Sequence, residues 1–206
     1  ATTLREYAYA LPLTDTDVQR LRGLGDPVDL AEVDAVYRPL SRLLNLYGTA
    51  GKWLMVDLGI GFADSTMSGV EVVMPDPELI VERRHDLVGI VLTHAHEDHL
   101  GAVADLWPRL KAPVYATPFA ASVLKRKLID AGLRDQVSVT EIPLGGKFSL
   151  APFELEMITM THSILEPNAM AIRTKFGTIF HTGDWKIDTE PLLGDLTDEA
   201  MLKRIG

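Results

Sequence analysis

Short apolar runs recur along this chain, each closed by glycine, proline or a polar cluster. KWLMVDLG (52–59) and LVGIVLTH (87–94) are almost continuously apolar, the pattern of strands buried on both faces. PVYATP (113–118), QVSVTEIP (136–143), FELEMITMTHS (153–163), AMAIRTKF (169–176) and GTIFHTGD (177–184) read as further strands. Phe176–Gly177 supports a tight turn between the last two. Between the runs, HLGAVADLWPRL (99–110) predicts a helix that Pro108 disturbs near its end. FAASVLKRKLIDAGL (119–133) predicts a helix with basic residues late and Gly132 as its stop. Strands alternating with helices imply α/β organisation around a mixed sheet.

Residues 1–46 follow a different pattern and read as helical. Thr14 or Asp15 caps a short helix through DVQRLRGLG, which Gly23 and Gly25 end. A second helix is expected from about Asp29. There Leu30, Val33, Tyr37, Leu40, Leu44 and Tyr47 fall on one stripe, and Pro39 should kink or split it. The predicted division is a helical segment over 1–46 and an α/β domain over 47–206, within the size of one domain plus an appendage.

Composition narrows the function. Apolar residues make up 47% of the chain, enough for a sizeable core, yet no run is long enough to span a bilayer. The opening residues lack a basic start followed by a long apolar stretch, so no secretory leader is expected and a cytoplasmic location is. The absence of cysteine removes disulfides, thiolate ligands and thiol nucleophiles together. A formal net charge of −9 gives no general attraction to nucleic acid. It does suit a chain that gathers carboxylates around cations.

The chemistry concentrates in Thr93–His94–Ala95–His96–Glu97–Asp98–His99, directly after an apolar strand. His94 and His96 point the same way in extended backbone. Imidazole nitrogens suit zinc and similar ions, and Asp98 adds a hard oxygen ligand. A turn into a helix after Asp98 would let Asp98 and His99 serve a second ion. The plain alternative is a solvated histidine cluster; the HxHxDH spacing at a strand-to-helix junction favours metal binding. His162 and Asp184 each follow an apolar strand at its carboxyl end, where α/β sheets gather functional groups. Asp184 could bridge two cations. Asp57 closes the strand 52–59 and is expected to accept an N–H from a ligand histidine, or else to cap a turn. His85, in ERRHDL, reads as a surface residue. His181 should face away from Asp184 by strand alternation. Trp185 and Lys186 stand where substrate could reach them.

Asp57, HxHxDH, His162 and the TGD containing Asp184 occur in the order used by the metallo-β-lactamase superfamily. VDLGIGFAD, GIVLTHAHEDHLGAV and THSILEPNAMAIRTKFGTIFHTGDWKID resemble the ribonuclease J family, from about Leu46 onward. The resemblance implies a partial αββα sandwich and a two-zinc site, with manganese as an alternative. It implies that His94, His96 and His162 hold one ion, Asp98 and His99 the other, and that Asp184 bridges them. LTDTDVQRLRGLGDPVDLAEVDAVYRPLSRLLNLY instead resembles the N-terminal helices of type I pantothenate kinase, without that family's phosphate-binding loop, which suggests a chimera joined near 44–48.

The same resemblance implies that the chain stops about where the ribonuclease J family's β-CASP insertion begins. The RNA-binding cleft, the last metal-ligand histidine and the closing layers of the sandwich would then be absent. The expected function is a dinuclear-metal hydrolase of phosphoesters, acting on small phosphodiesters or phosphotriesters, with metal hydroxide as nucleophile oriented by Asp98. RNA cleavage is one alternative and an inactive zinc-binding chimera another. Because Asp184 stands where true lactamases place Cys or His, antibiotic hydrolysis is disfavoured. The exposed apolar sheet surface could be covered by residues 1–46 or by self-association, and a homodimer is expected on that basis.

Overall fold

The computed structural model describes residues 43–63 and 69–205. Strand β2 (Lys52–Leu58) carries the first apolar run and pairs with β1 (Leu44–Thr49) on one side. On its other side lie β5 (Leu87–Val91), β6 (Val114–Ala116) and β7 (Val139–Glu141), all parallel to it. These five form the first sheet, in the order β1-β2-β5-β6-β7. The second sheet is an antiparallel meander of β8 (Lys147–Leu150), β9 (Phe153–Thr159), β10 (Asn168–Thr174) and β11 (Gly177–His181). A small ladder of β3 (Gly61–Phe62) and β4 (Val72–Val73) stands apart.

Strand alternation sorts the core into three layers. Leu54, Val56 and Val91 from the first sheet meet Phe153, Leu155, Met157, Met170 and Ile172 from the second. On the other face of the first sheet, Met55, Leu58, Ile90 and Leu92 pack with α3 (Val103–Leu110) and α4 (Pro118–Asp130). On the outer face of the second sheet, Ile158, Met160, Ala169 and Ala171 lie under Met201, Leu202 and Ile205 of α5 (Glu199–Ile205). The layers are therefore helix, sheet, sheet, helix. The short helices α1 (Glu78–Val81) and α2 (Glu97–Leu100) lie between strands β4 and β5 and directly after the histidine run. Among the described residues no helix is long and apolar enough to cross a membrane.

Three expectations need correction. Leu44–Tyr47 is strand, not helix, so a boundary at 46/47 would cut through β1. Ala50 (φ 50°) and Gly51 (φ 75°) form a two-residue left-handed turn that folds β1 onto β2. The helix predicted over 99–110 is broken at Gly101–Ala102 rather than at Pro108, because the Ala102 N–H donates to Leu58 at 3.1 Å instead of continuing the helix. The outer face of the second sheet is not bare, since α5 covers part of it. Apolar exposure concentrates further along, at Trp185, Ile187, Leu192, Leu193 and Leu196. The helices expected before residue 43, and the kinase-like stretch, lie outside the described residues.

Candidate metal centre

The carboxyl ends of β5, β9 and β11 converge on one edge of the sandwich. After β5 the chain stays extended through His96 (φ −69°, ψ 152°) and then turns into α2. The amides of His99 and Leu100 both donate to the His96 carbonyl at 3.0 Å, which starts the helix and lifts Asp98 and His99 onto its first turn. His162 lies in the loop after β9 and Asp184 in the loop after β11. These residues meet there. His94, His96 and His162 offer ring nitrogens that all lie within 4.8 Å of one another. His94, His99 and Asp184 form a second group within the same limit. Asp184 Oδ2 reaches toward both groups, 3.6 Å from His99 Nε2 and 3.8 Å from His162 Nε2. Asp98 is half exposed at the rim, with Oδ2 3.7 Å from His99 Nε2, and belongs to neither group.

A buried layer beneath sets which nitrogen each imidazole presents. Asp57 is fully buried, at a β-bulge opposite Leu44–Asn45, in a left-handed conformation (φ 62°) that Asp tolerates better than most residues. Its Oδ1 accepts from the Thr93 amide at 2.8 Å, and its Oδ2 contacts the Thr93 hydroxyl at 2.9 Å and His99 Nδ1 at 2.7 Å. Because the carboxylate can only accept, His99 carries a proton on Nδ1 and turns its Nε2 edge toward the cluster. The Thr93 hydroxyl has one proton and directs it at Asp57, so its 3.0 Å contact with His94 Nδ1 is an acceptance. That leaves the His94 Nε2 lone pair facing the cluster as well.

The electrostatics follow from burial and the carboxylates. Burial pushes the His94 imidazole down to about 3, and the neighbouring His99 adds to this. Burial would also lower His99, but the charge of Asp57 and the contacts with Asp184 and Asp57 outweigh it and raise the ring to about 10. His162 is lowered, by burial first and then by His96. Asp184 is held well below the usual carboxylate range by His99. For Asp57, burial favours the protonated form, yet His99 prevails and keeps it ionised. The donor set fits divalent cations on one further observation: His99 Nε2 is buried, has no hydrogen-bond partner, and lies among Asp98, Asp184 and the other rings.

Two contributors are not apparent from residue type. A β-carbon on Gly59 would sit 1.8 Å from the Asp98 carbonyl oxygen, so the backbone of the HxHxDH run passes against the end of β2 with no room for a side chain. His181 was expected to face away from Asp184, but both line a cavity of 430 Å³ with Asn45, Asp57, His99, Thr182, Gly183 and Trp185. Alternation fails there because β11 stops at His181 and Gly183 (φ 56°) turns the loop back. His181 belongs to neither ligand group. His85 is exposed and remote from the cluster, as expected.

Residues 52–202 match the family model described as the Beta-lactamase superfamily domain. The chain is 47% identical over 162 residues to Ribonuclease J of Sinorhizobium meliloti, covering 78% of this chain and 29% of that protein. It is 37% identical over 154 residues to Ribonuclease J of Helicobacter pylori, covering 74% of this chain and 22% of that protein. It thus spans less than a third of the length of these curated relatives. Among solved structures, the metallo-beta-lactamase fold protein YhfI from Bacillus subtilis superposes with a TM-score of 0.51 at 18% identity, covering 71% of this chain and 56% of that one. That likeness speaks for the fold.

Proposed function

The chain belongs to the beta-lactamase superfamily, and on that footing we propose that it is a metal-dependent hydrolase of phosphoester bonds. One observation carries the reading: two three-ligand groups share His94, and the carboxylate of Asp184 reaches toward both. In this reading His94, His96 and His162 hold one divalent cation, Asp98 and His99 hold the other, and Asp184 lies between them. Zinc suits the imidazole-rich donors, and manganese is the alternative. Such a pair supplies, when bound, a nucleophile near neutral pH and neutralisation of phosphoryl oxygens.

The chain's own residues do the rest. Asp57 and Thr93 hold the Nδ1 protons of His99 and His94, so that each ring turns its Nε2 toward the cluster; His99, whose pKa stands near 10 in the metal-free chain, would release its Nε2 proton when a cation binds. Asp98, at the solvent rim, orients the attacking water by accepting its proton in a hydrogen bond.

Small phosphodiesters or phosphotriesters are the proposed substrates. RNA is the second reading, favoured by the 47% identity to a protein named Ribonuclease J. The exposed strip of Trp185, Ile187, Leu192, Leu193 and Leu196 supports a homodimer, which sedimentation would test. To decide the chemistry, a chromogenic phosphodiester and a 5′-monophosphate RNA are each assayed with and without chelator. Turnover that chelator abolishes and zinc or manganese restores supports the hydrolase reading. Turnover indifferent to chelator, or none after metal reconstitution, overturns it.

A further inference from the structure

Trp185 follows Asp184 directly, and its indole is half exposed on the wall of the 430 Å³ cavity that holds His99 and Asp184. The backbone on both sides of it is fixed. Gly183 (φ 56°) passes so close to β10 that a β-carbon there would sit 2.6 Å from the Asn168 carbonyl oxygen, and the Asn168 amide is itself tied to the Thr93 carbonyl at 3.1 Å. The Lys186 amide donates to the Thr161 carbonyl at 2.8 Å, which fastens the chain just beyond β9. The indole therefore stands on a stiff stretch of loop, and little ordering remains to be done when a ligand meets it.

The rest of the wall is polar or bare: Asn45, Thr182, two histidines and two aspartates around Gly183. Among the described residues that line it, Trp185 is the one large apolar side chain, and neither Lys nor Arg is present. Cations at the cluster suit a phosphoryl group. The organic group esterified to that phosphoryl meets no cationic side chain on this wall, and the indole is the apolar surface open to it. The Cα atoms of Asp184 and Trp185 are about 3.8 Å apart, so a group joined to a phosphoryl at Asp184 is within reach of the indole. A flat ring stacks on an indole face with a gain that a small alkyl group does not match, and any ring with a π-face serves. The exposed apolar residues that follow, Ile187, Leu192, Leu193 and Leu196, do not line the cavity, so the contact falls to Trp185.

We propose that Trp185 is a specificity-determining residue whose indole stacks on a flat aromatic group of the bound phosphoester, so that aryl or nucleoside esters are taken in preference to alkyl esters. The inference rests on the phosphoester reading above and names the substrate class of that same site.

Two measurements on the zinc-loaded chain test it, and neither needs turnover. By isothermal titration calorimetry, the unmodified chain should bind phenyl phosphate, adenosine 5′-monophosphate or both about tenfold more tightly than methyl phosphate, within the range of one aromatic stack. Trp185→Ala should erase that preference, and Trp185→Phe should keep most of it. The favoured ligand should also quench the tryptophan emission of the unmodified chain where methyl phosphate does not; Trp53 and Trp107 do not line the cavity, so the change reports Trp185. Preference for phenyl phosphate alone assigns an aryl ester, for adenosine 5′-monophosphate alone a nucleobase, and for both any flat ring. A chain that binds all three equally or none of them, or a preference that survives Trp185→Ala, overturns the inference. So does a Trp185→Ala chain altered in sedimentation but not in ligand preference, which would give the indole to self-association. If the chain turns over no phosphodiester yet keeps the preference, the hydrolase reading fails and this inference stands. Should Trp185→Ala not fold, the quenching of the unmodified chain decides.

Discussion

Gly59→Ala is the sharpest perturbation of the site that leaves every polar residue in place. The new β-carbon would lie 1.8 Å from the Asp98 carbonyl oxygen, 1.9 Å from its carbon and 2.5 Å from the His99 nitrogen. Ordinary contact begins near 3.4 Å, so backbone must retreat by about 1.5 Å. All three atoms are main chain, and no side-chain rotation relieves the clash. The flanks hold the junction shut, since the Ile60 amide donates to Glu97 at 2.9 Å and the Ala102 amide to Leu58 at 3.1 Å. The displacement therefore falls on Asp98 and His99. A 1 Å misplacement at a reacting centre costs on the order of 100-fold in rate, so metal-dependent phosphodiester turnover should drop at least that far. Overpacking should also cost about 1–3 kcal/mol, or roughly 2–4 °C in Tm for each kcal/mol in a chain of this length. Gly132→Ala is the control. Gly132 has a left-handed φ of 70° with nothing within 4 Å of its added β-carbon, so the substitution strains the stop of α4 and should lower Tm while sparing turnover. A Gly59→Ala chain with turnover and metal content within threefold of the parent would show that this close approach does not position Asp98 and His99.

Other expectations follow from burial and charge. The metal-free chain should melt highest near pH 6.5. His94 has a folded pKa depressed to about 3, so the unfolded state takes up its proton first and stability falls as pH drops from 6.5. His99 is raised to about 10, so its contribution is complete below 6.5 and disappears as pH climbs through 10; a Tm rising steadily to pH 10 in chelator would contradict both assignments. Glu156 is almost fully buried on the outer face of the second sheet, with Arg173 at 2.6 Å, Lys147 at 3.1 Å and Arg204 of α5 in contact. Glu156→Ala removes the shared anion of three half-exposed cations and should cost about 1–2 kcal/mol of stability while leaving turnover near normal, which thermal melts and kinetics on one preparation would check. His85→Ala alters only an exposed side chain, and a change in turnover beyond twofold would mean that its surface has an unassigned role.

Parts of this architecture are legible in the chain because they are local. The HxHxDH run brings its own side chains together through the strand-to-helix turn, and the apolar runs over 52–58 and 87–91 mark the central strands without ambiguity. Other parts depend on contacts distant in sequence. Leu44 and Tyr47 are three residues apart, a spacing that fits a helical stripe as well as a strand, and only pairing with β2 decides for the strand. The side on which His181 lies is settled by where β11 ends and by a left-handed Gly183, neither of which period-two alternation contains. Gly59 looks like any strand-terminal glycine until Asp98 is seen against it. The covering helix α5 is short, and its apolar face (Met201, Leu202, Ile205) gains meaning only from the sheet face it meets.

In the proposed site, six side chains from three strand ends and one helix turn hold a pair of cations. Counting metal per chain by native mass spectrometry tests it most directly. We expect two divalent ions on the unmodified chain, and fewer on His96→Ala and on Asp184→Ala, each with unchanged far-UV circular dichroism. A folded chain that retains no ion after incubation with zinc or manganese, or that binds two ions equally well without His96 or Asp184, would rule out this ligand set.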